Sequence, residues 1–228
     1  MKLIIQIPCY NEEETLEIAL NDLPKAIEGI DTIEYLIIND GSTDHTTEVA
    51  KKWGVHYVVH YIVSFKRNKG LAKGFMAGLN ECLKHGADII VNTDADNQYS
   101  GQDIEKLVRP IIEGRADIVI GDRPIDETEH FSPMKKKLQH FGSWVVRAAS
   151  DTDIPDAPSG FRAYSREAAM RINVTNEYTY TLETIVQAGR ERIPMEHVPI
   201  RTNGELRPSR LFHSMMGYVR KSMVTIVR

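Results

Sequence analysis

Short apolar runs, each closed by polar residues and each followed by a helical period, recur along this 228-residue chain and confine it to a narrow class of folds. "KLIIQI" (2–7), "EYLIIND" (34–40), "ADIIVNT" (87–93) and "ADIVIG" (116–121) have the length and composition of strands. "VHYVVHYIV" (55–63) is strand-like as well. The stretches between them, "NEEETLEIALNDLPKAI", "DHTTEVAKKW", "GLAKGFMAGLNECLKHG" and "GQDIEKLVRPIIEG", carry helical periodicity. Asn11 is placed to cap the first helix, with three glutamates in its first turn, where the helix dipole favours them. Pro110 is placed to kink the fourth. Strands alternating with longer helices predict an α/β fold with a mixed, mainly parallel sheet flanked by helices.

In such sheets ligands bind in the crevice beyond the carboxyl ends of the strands. Those ends carry Pro8 to Asn11, then Asp40, then Asp94 and Asp96, then Arg123. Polar residues from distant parts of the chain are thus delivered to one edge. The chain is 42% hydrophobic, enough for the core of one domain. A net charge of −4 carries no nucleic-acid signal, so no nucleic-acid partner is expected. The two cysteines, Cys9 and Cys82, lack metal spacing and fit a reduced, cytosolic compartment. The N-terminus lacks a signal peptide's apolar region, and no run of roughly 18 apolar residues is available to span a membrane.

Beyond residue 124 the pattern loosens. "SPMKKKLQHFGSWVVRAAS" reads as a helix capped by Ser132 with Pro133 in its first turn. "DAPSGFRAYSRE" reads as a loop, "YTLETIVQAGRERI" as a helix and "MEHVPIRT" as a strand. Residues 201–228 hold six basic residues against one acidic, Glu205, a local balance of +5. A basic helix with an apolar stripe fits a membrane surface, and equally a core-packing helix with a solvated face.

Asp94, Asp96 and Gln98 in "IIVNTDADNQYS" (89–100) offer hard oxygen ligands suited to Mg²⁺ or Mn²⁺. The alternative is that the aspartates make turn bonds or cap the helix that follows. Arg123 suits a phosphate or a surface ion pair.

"IPCYNEEETL", "YLIINDGSTDHT", "NKGLAKGFMAGL", "DIIVNTDADNQY" and "ADIVIGDR" follow one another in an order that resembles a family 2 glycosyltransferase of GT-A (Rossmann-like) fold. "PSGFRAYSRE" and "VPIRTNGELRPSRL" narrow the resemblance to the polyprenyl-phosphate glycosyltransferases, the group containing dolichol-phosphate mannose synthase. The resemblance covers essentially the whole chain. It implies a catalytic domain over 1–210 and an amphipathic, membrane-facing segment over 211–228, with transmembrane helices to follow it in a longer chain. It implies a nucleoside pocket shaped by Pro8, Tyr10, Asn11 and Glu12, with Asp40 on the base edge and Asp44 supporting the loop. Lys73 lies near the donor in the resemblance, although a lysine on a helix face is usually solvated. The metal and diphosphate site falls on Asp94, Asp96 and Gln98. The acceptor side falls on Ser159, Gly160, Arg162, Arg207 and Ser209. Arg123 and Arg210 stand among the catalytic residues as phosphate partners, since a planar guanidinium suits phosphate oxygens.

The implied reaction is metal-dependent, inverting transfer of a sugar from a UDP- or GDP-linked donor to a polyprenyl (dolichyl or undecaprenyl) phosphate, at the cytoplasmic face of a membrane. A lipid monophosphate is already ionised at neutral pH, with a second pKa of about 6, so it requires no general base. The alternative is a soluble family 2 glycosyltransferase acting on a saccharide or other hydroxyl, with Glu183 as base; an ion pair with Arg162 or a place on the helix surface accounts for Glu183 equally well. A nucleotidyltransferase would carry a glycine-rich loop where "PCYNEEE" stands. A non-catalytic scaffold does not explain an intact Asp94, Asp96 and Gln98 set.

Overall fold

A computed structural model describes residues 1–54, 60–64, 70–124, 133–175 and 180–204. The first half reads β1 (Lys2–Cys9), α1 (Leu16–Asp22), β2 (Thr32–Asn39), α2 (Thr46–Gly54), β3 (His60–Ser64), α3 (Leu71–Lys84) and β4 (Ile89–Asn92). A single 3₁₀ turn (Gly101–Asp103) leads into α4 (Ile104–Ile112), followed by β5 (Ile118–Asp122) and α5 (Pro133–Ser150). The last elements are β6 (Arg162–Ser165), α6 (Arg166–Arg171), α7 (Thr181–Arg190) and β7 (Met195–Pro199).

The strands form one seven-stranded sheet in the order β3-β2-β1-β4-β6-β5-β7. All pairings are parallel except those of β6, which runs antiparallel to both β4 and β5. Continuous apolar strands signal burial on both faces, and period-two alternation assigns each side chain to one of them. Leu3, Ile5, Ile7, Ile37 and Val91 join Leu16, Leu20 and Leu107 in one core. Ile4, Leu36, Ile38 and Ile90 join Phe75, Leu79 and Ile185 in the other.

Two local expectations fail for physical reasons. The first helix begins at Leu16 rather than at Asn11. Asn11 adopts a left-handed backbone (φ 55°), and the amides of Asn11, Glu12 and Glu13 bond to Ser42 Oγ, Thr46 Oγ1 and Asp44 Oδ2 instead of opening a helix. The stretch expected to be a loop over 156–167 contains β6 and the start of α6. Its four-residue strand carries Arg162 and Ser165 and has no apolar run to announce it. Pro110 does lie inside α4, while Ser132 and 55–59 lie outside the described residues.

The order of the sheet places its switch point between β1 and β4, the position where an open α/β sheet leaves a crevice at its carboxyl edge. Because β6 is reversed, with Arg162 opposite Asn92, the loop before it arrives at that same edge.

Helix α7 crosses the end of α5 at Gly189, where an added Cβ would lie 2.0 Å from the Ser150 carbonyl oxygen. A backbone carbonyl cannot move aside as a side chain can. Gly189→Ala is expected to destabilise the fold by at least about 2 kcal/mol in urea unfolding, with an unchanged m value.

Candidate active site

The loops after β1 and β2 are laced together. Besides the three amides already named, Thr43 N–H donates to Asn11 Oδ1 (2.8 Å) and His45 N–H to Glu13 (2.9 Å). Glu12 is buried and accepts from Thr15 Oγ1 (2.9 Å). Asp44 Oδ1 accepts from Thr46 N–H (3.0 Å), so Asp44 supports the loop as expected. Burial pushes its carboxyl up, but the bonds from Thr46 and Glu13 outweigh this and hold it below the ordinary range. Asp40, buried just past the end of β2, accepts the Gly70 N–H at 2.9 Å and ties that strand to the start of α3. Pro8 is half-buried within β1, Tyr10 is exposed just past the strand's end, and Lys73 is exposed on α3.

Asp94 and Asp96 follow β4 and are half-buried, as is Gln98. Asp96 Oδ1 accepts the Gln98 N–H at 3.2 Å, a local turn bond. Asp94 faces Gly160: a Cβ built on Gly160 would lie 3.6 and 3.7 Å from the two Asp94 oxygens and 3.1 Å from the Tyr180 hydroxyl. A Cβ here would be in ordinary contact with the carboxylate and tight only against the Tyr180 hydroxyl. The Cys9 thiol is pushed well above its usual value by burial and then by the charges of Glu12, Asp44 and Asp94. This crevice is electronegative.

Gly160 is held from several sides. Its N–H donates to Tyr99 Oη (3.2 Å), and its carbonyl accepts from Asn92 Nδ2 (3.0 Å) and Tyr180 Oη (3.2 Å). Asn92 also donates to Tyr180 Oη (2.8 Å) and accepts from Gln6 Nε2 (3.0 Å). Tyr180 stacks on Phe75 with ring centroids 4.0 Å apart, and Tyr99 stacks on Phe161. Burial raises the Tyr99 hydroxyl to about 12, so it stays protonated and can donate at neutral pH.

The two arginines of this region lie differently. Arg123 makes a two-pronged ion pair with fully buried Asp156, at 2.7 and 2.8 Å. It also feels the charge of Asp94. Arg162, placed on the acceptor side by resemblance, is fully buried. Its guanidinium donates to the carbonyls of Ala157 (2.6 Å), Ser159 (2.7 Å) and Thr181 (2.9 Å) and to Thr184 Oγ1 (2.8 Å). In this arrangement it shapes the loop from behind. Ser159 Oγ is buried with no hydrogen-bond partner among the described residues. Glu183 Oε1 accepts from Thr175 N–H (2.9 Å) and Thr175 Oγ1 (2.7 Å). Arg207, Ser209, Arg210 and the segment 211–228 lie outside the described residues.

Asp156, Asn92, Gln6, Tyr99 and Tyr180 escape the sequence reading although they build this edge. The available signal was one polar residue inside each of two apolar strands. Gln6 and Asn92 are register partners and both fully buried.

The residues at the crevice fit a divalent cation. Asp94, Asp96 and Gln98 are all oxygen donors in an electronegative cleft, and Gly160 leaves the space beside Asp94 clear of a side chain. Among the described residues no three His, Cys, Asp or Glu side chains close into a full metal cage. Mg²⁺ usually takes only one or two protein carboxylates, together with substrate phosphates.

Comparison with known proteins identifies the family. The model of glycosyl transferase family 2 matches residues 4–172. The chain is 29% identical over 214 residues to a UDP-N-acetylglucosamine–dolichyl-phosphate N-acetylglucosaminyltransferase from Methanococcus voltae, covering 86% of this chain and 83% of that protein. It is 25% identical to an undecaprenyl-phosphate mannosyltransferase from Micrococcus luteus, covering 100% and 93%. The structure of Mycobacterium tuberculosis glucosyl-3-phosphoglycerate synthase with Mn²⁺, UDP and phosphoglyceric acid superposes with a TM-score of 0.75. It covers 99% of this chain and 78% of that one at 17% identity, a likeness of GT-A fold. With carboxylates at the carboxyl edge of a GT-A sheet and a family match across most of its length, the chain belongs to glycosyl transferase family 2 and is a glycosyltransferase.

Proposed function

We propose that this enzyme transfers a sugar from a nucleoside-diphosphate donor to a polyprenyl phosphate, with inversion at the anomeric carbon and with the help of a divalent metal. The observation that carries this reading is the pairing of Asp94 with side-chain-free Gly160 at the switch point, in a chain whose full-length relatives are named for lipid-phosphate acceptors. Pro8 near the end of β1 and Tyr10, Asn11, Glu12 and Asp40 on the two laced loops form the nucleoside side. Asp94, Asp96 and Gln98 would hold Mg²⁺ or Mn²⁺ against the diphosphate, and that ion would neutralise the charge that develops on the leaving group.

The chain's own residues do the rest. The loop held by Arg162 and Asp156, with Ser159 and Gly160 buried within it, backs the acceptor side, and Arg123 lends positive charge that Asp94 feels. Arg207, Ser209 and Arg210 follow Gly204 within six residues, and Gly204 adjoins Asn203, which is bonded to Asn97 and Gln98. An oxygen of the lipid phosphate donates its electron pair to the anomeric carbon. The bond from that carbon to the diphosphate oxygen breaks, and its electron pair leaves with the nucleoside diphosphate. No proton need be removed from an ionised phosphate. The engagement of Glu183 with Thr175 supports a reading in which that carboxylate is structural.

No helix among the described residues is long and apolar enough to cross a membrane. Peripheral attachment at the cytoplasmic face through the basic, apolar 211–228 segment completes the proposal.

Isothermal titration with UDP and with GDP, each with and without Mn²⁺, is the direct test. One nucleotide should bind in a Mn²⁺-dependent manner, and Asp96→Ala should abolish the dependence; binding indifferent to Mn²⁺ in both proteins would refute the metal role. In turnover, Asp94→Asn is expected to lower kcat by a factor on the order of 100 to 1,000, the scale for losing one electrostatic contact to developing charge. Gly160→Ala places a methyl group against Tyr180 and Asp94. It should lower kcat roughly tenfold or more by displacing the Tyr180 hydroxyl that fastens this loop opposite Asp94, while leaving metal-free nucleotide binding intact.

A further inference from the structure

The loop after β4 is bounded on its outer side by a strap, residues 200–204, that arrives directly from β7. Asn203 N–H donates to the Gln98 carbonyl (2.8 Å) and Asn203 Nδ2 donates to the Asn97 carbonyl (3.0 Å). Thr202 forms a β-bridge with Tyr99, and Ser100 N–H donates to the Arg201 carbonyl (3.3 Å). Arg201 is then locked to Asp103: its N–H reaches Oδ2 at 2.6 Å and its guanidinium reaches Oδ1 at 2.8 Å. Burial pushes the Asp103 carboxyl up, but Arg201 and Lys106 outweigh it and hold it below the ordinary range, so the lock is intact at neutral pH.

The two anchors divide the labour. The Arg201–Asp103 pair fastens the far end of the loop to the start of α4. Asn203 fastens the near end, at the residues flanking Asp96. That end needs a fastener, because Asn97 sits in the left-handed region (φ 56°), where a non-glycine residue is held at a cost. A peptide in that conformation can relax by rotating, and rotation would swing Gln98 and the turn bond from Gln98 to Asp96 Oδ1.

We infer that Asn203 is a positioning residue for the metal site: by holding the carbonyls of Asn97 and Gln98 it fixes the directions of Asp96 and Gln98 toward the cation. This deepens the proposed function and rests on it for the identity of the ligand, but the mechanical part stands on the geometry alone. Side chains one step behind metal ligands commonly set metal affinity by orienting those ligands, and here the orientation passes through backbone carbonyls.

The test uses the full chain with Asn203→Ala, which removes the side-chain donor, and Asn203→Asp, which sets a carboxylate against the Asn97 carbonyl. Amide hydrogen exchange without ligand reads the loop itself. Exchange over 97–101 should quicken in both variants while β1 and β4 are unchanged, and Tm should stay within about 2 °C of the parent. Titration with UDP or GDP reads the coupling. The Mn²⁺ concentration needed for half-maximal nucleotide binding should rise on the order of tenfold, more in the aspartate variant, with binding in EDTA unaltered. Unchanged exchange over 97–101 would overturn the inference, whatever the parent binds. Quickened exchange with an unchanged Mn²⁺ requirement would also overturn it, since the strap would then be only structural. A parent that binds no nucleotide with Mn²⁺ would refute the proposed function and with it the metal role of Asn203, and the exchange data would then report the strap alone.

Discussion

The amide of Asn92 is the joint on which the active edge depends. It lies at the centre of the sheet, fully buried, and bonds to β1 through Gln6, to the Gly160 carbonyl and to the Tyr180 hydroxyl. A buried amide left unpartnered would cost on the order of 1–3 kcal/mol per lost bond. That penalty pins a loop from far along the sequence to the last residue of β4, two positions before Asp94. Strand order alone would deliver Asp94 to the edge. Asn92, with Tyr99 and Tyr180, decides what stands opposite it.

Electrostatics then explains how the loop over 156–161 is held. Asp156 and Arg162 are both fully buried. Burying a charge is costly unless it is paired or fully hydrogen-bonded. Asp156 meets the requirement with the fork of Arg123 and Arg162 with four oxygens of its own loop and of α7. Each bond is therefore also a constraint, because releasing any one strands a charge away from water. The result is a loop of backbone and small side chains held in place behind the Asp94 crevice.

Much of this was legible in the sequence, and the failures have identifiable causes. Apolar runs closed by Asp40, Asp94 and Arg123 were readable because continuous burial on both faces forces such runs. β6 was not, because four residues with Arg162 and Ser165 among them carry no period, and the strand is made by the neighbours it slots between. Asn11 looks like a helix cap, yet the hydroxyls and carboxylate of a second loop compete for the same amides and win. Arg162 is placed on the acceptor side by resemblance alone; nothing local reveals that Ala157, Ser159 and Thr181 turn their carbonyls onto it. Gln6, Asn92 and Asn203 act through partners 68 to 106 positions away, a kind of contact no local pattern encodes.

The most direct test of the account is a transfer assay that compares a polyprenyl phosphate with the corresponding unphosphorylated polyprenol. It would use the nucleotide sugar matching the nucleotide that binds, in detergent with Mn²⁺. The account requires a sugar–phospholipid product of inverted anomeric configuration, formed only from the phosphate and unaffected by Glu183→Gln. Equal transfer to the alcohol or to a water-soluble hydroxyl acceptor, lost in Glu183→Gln, would contradict it and place a base-assisted reaction in this site.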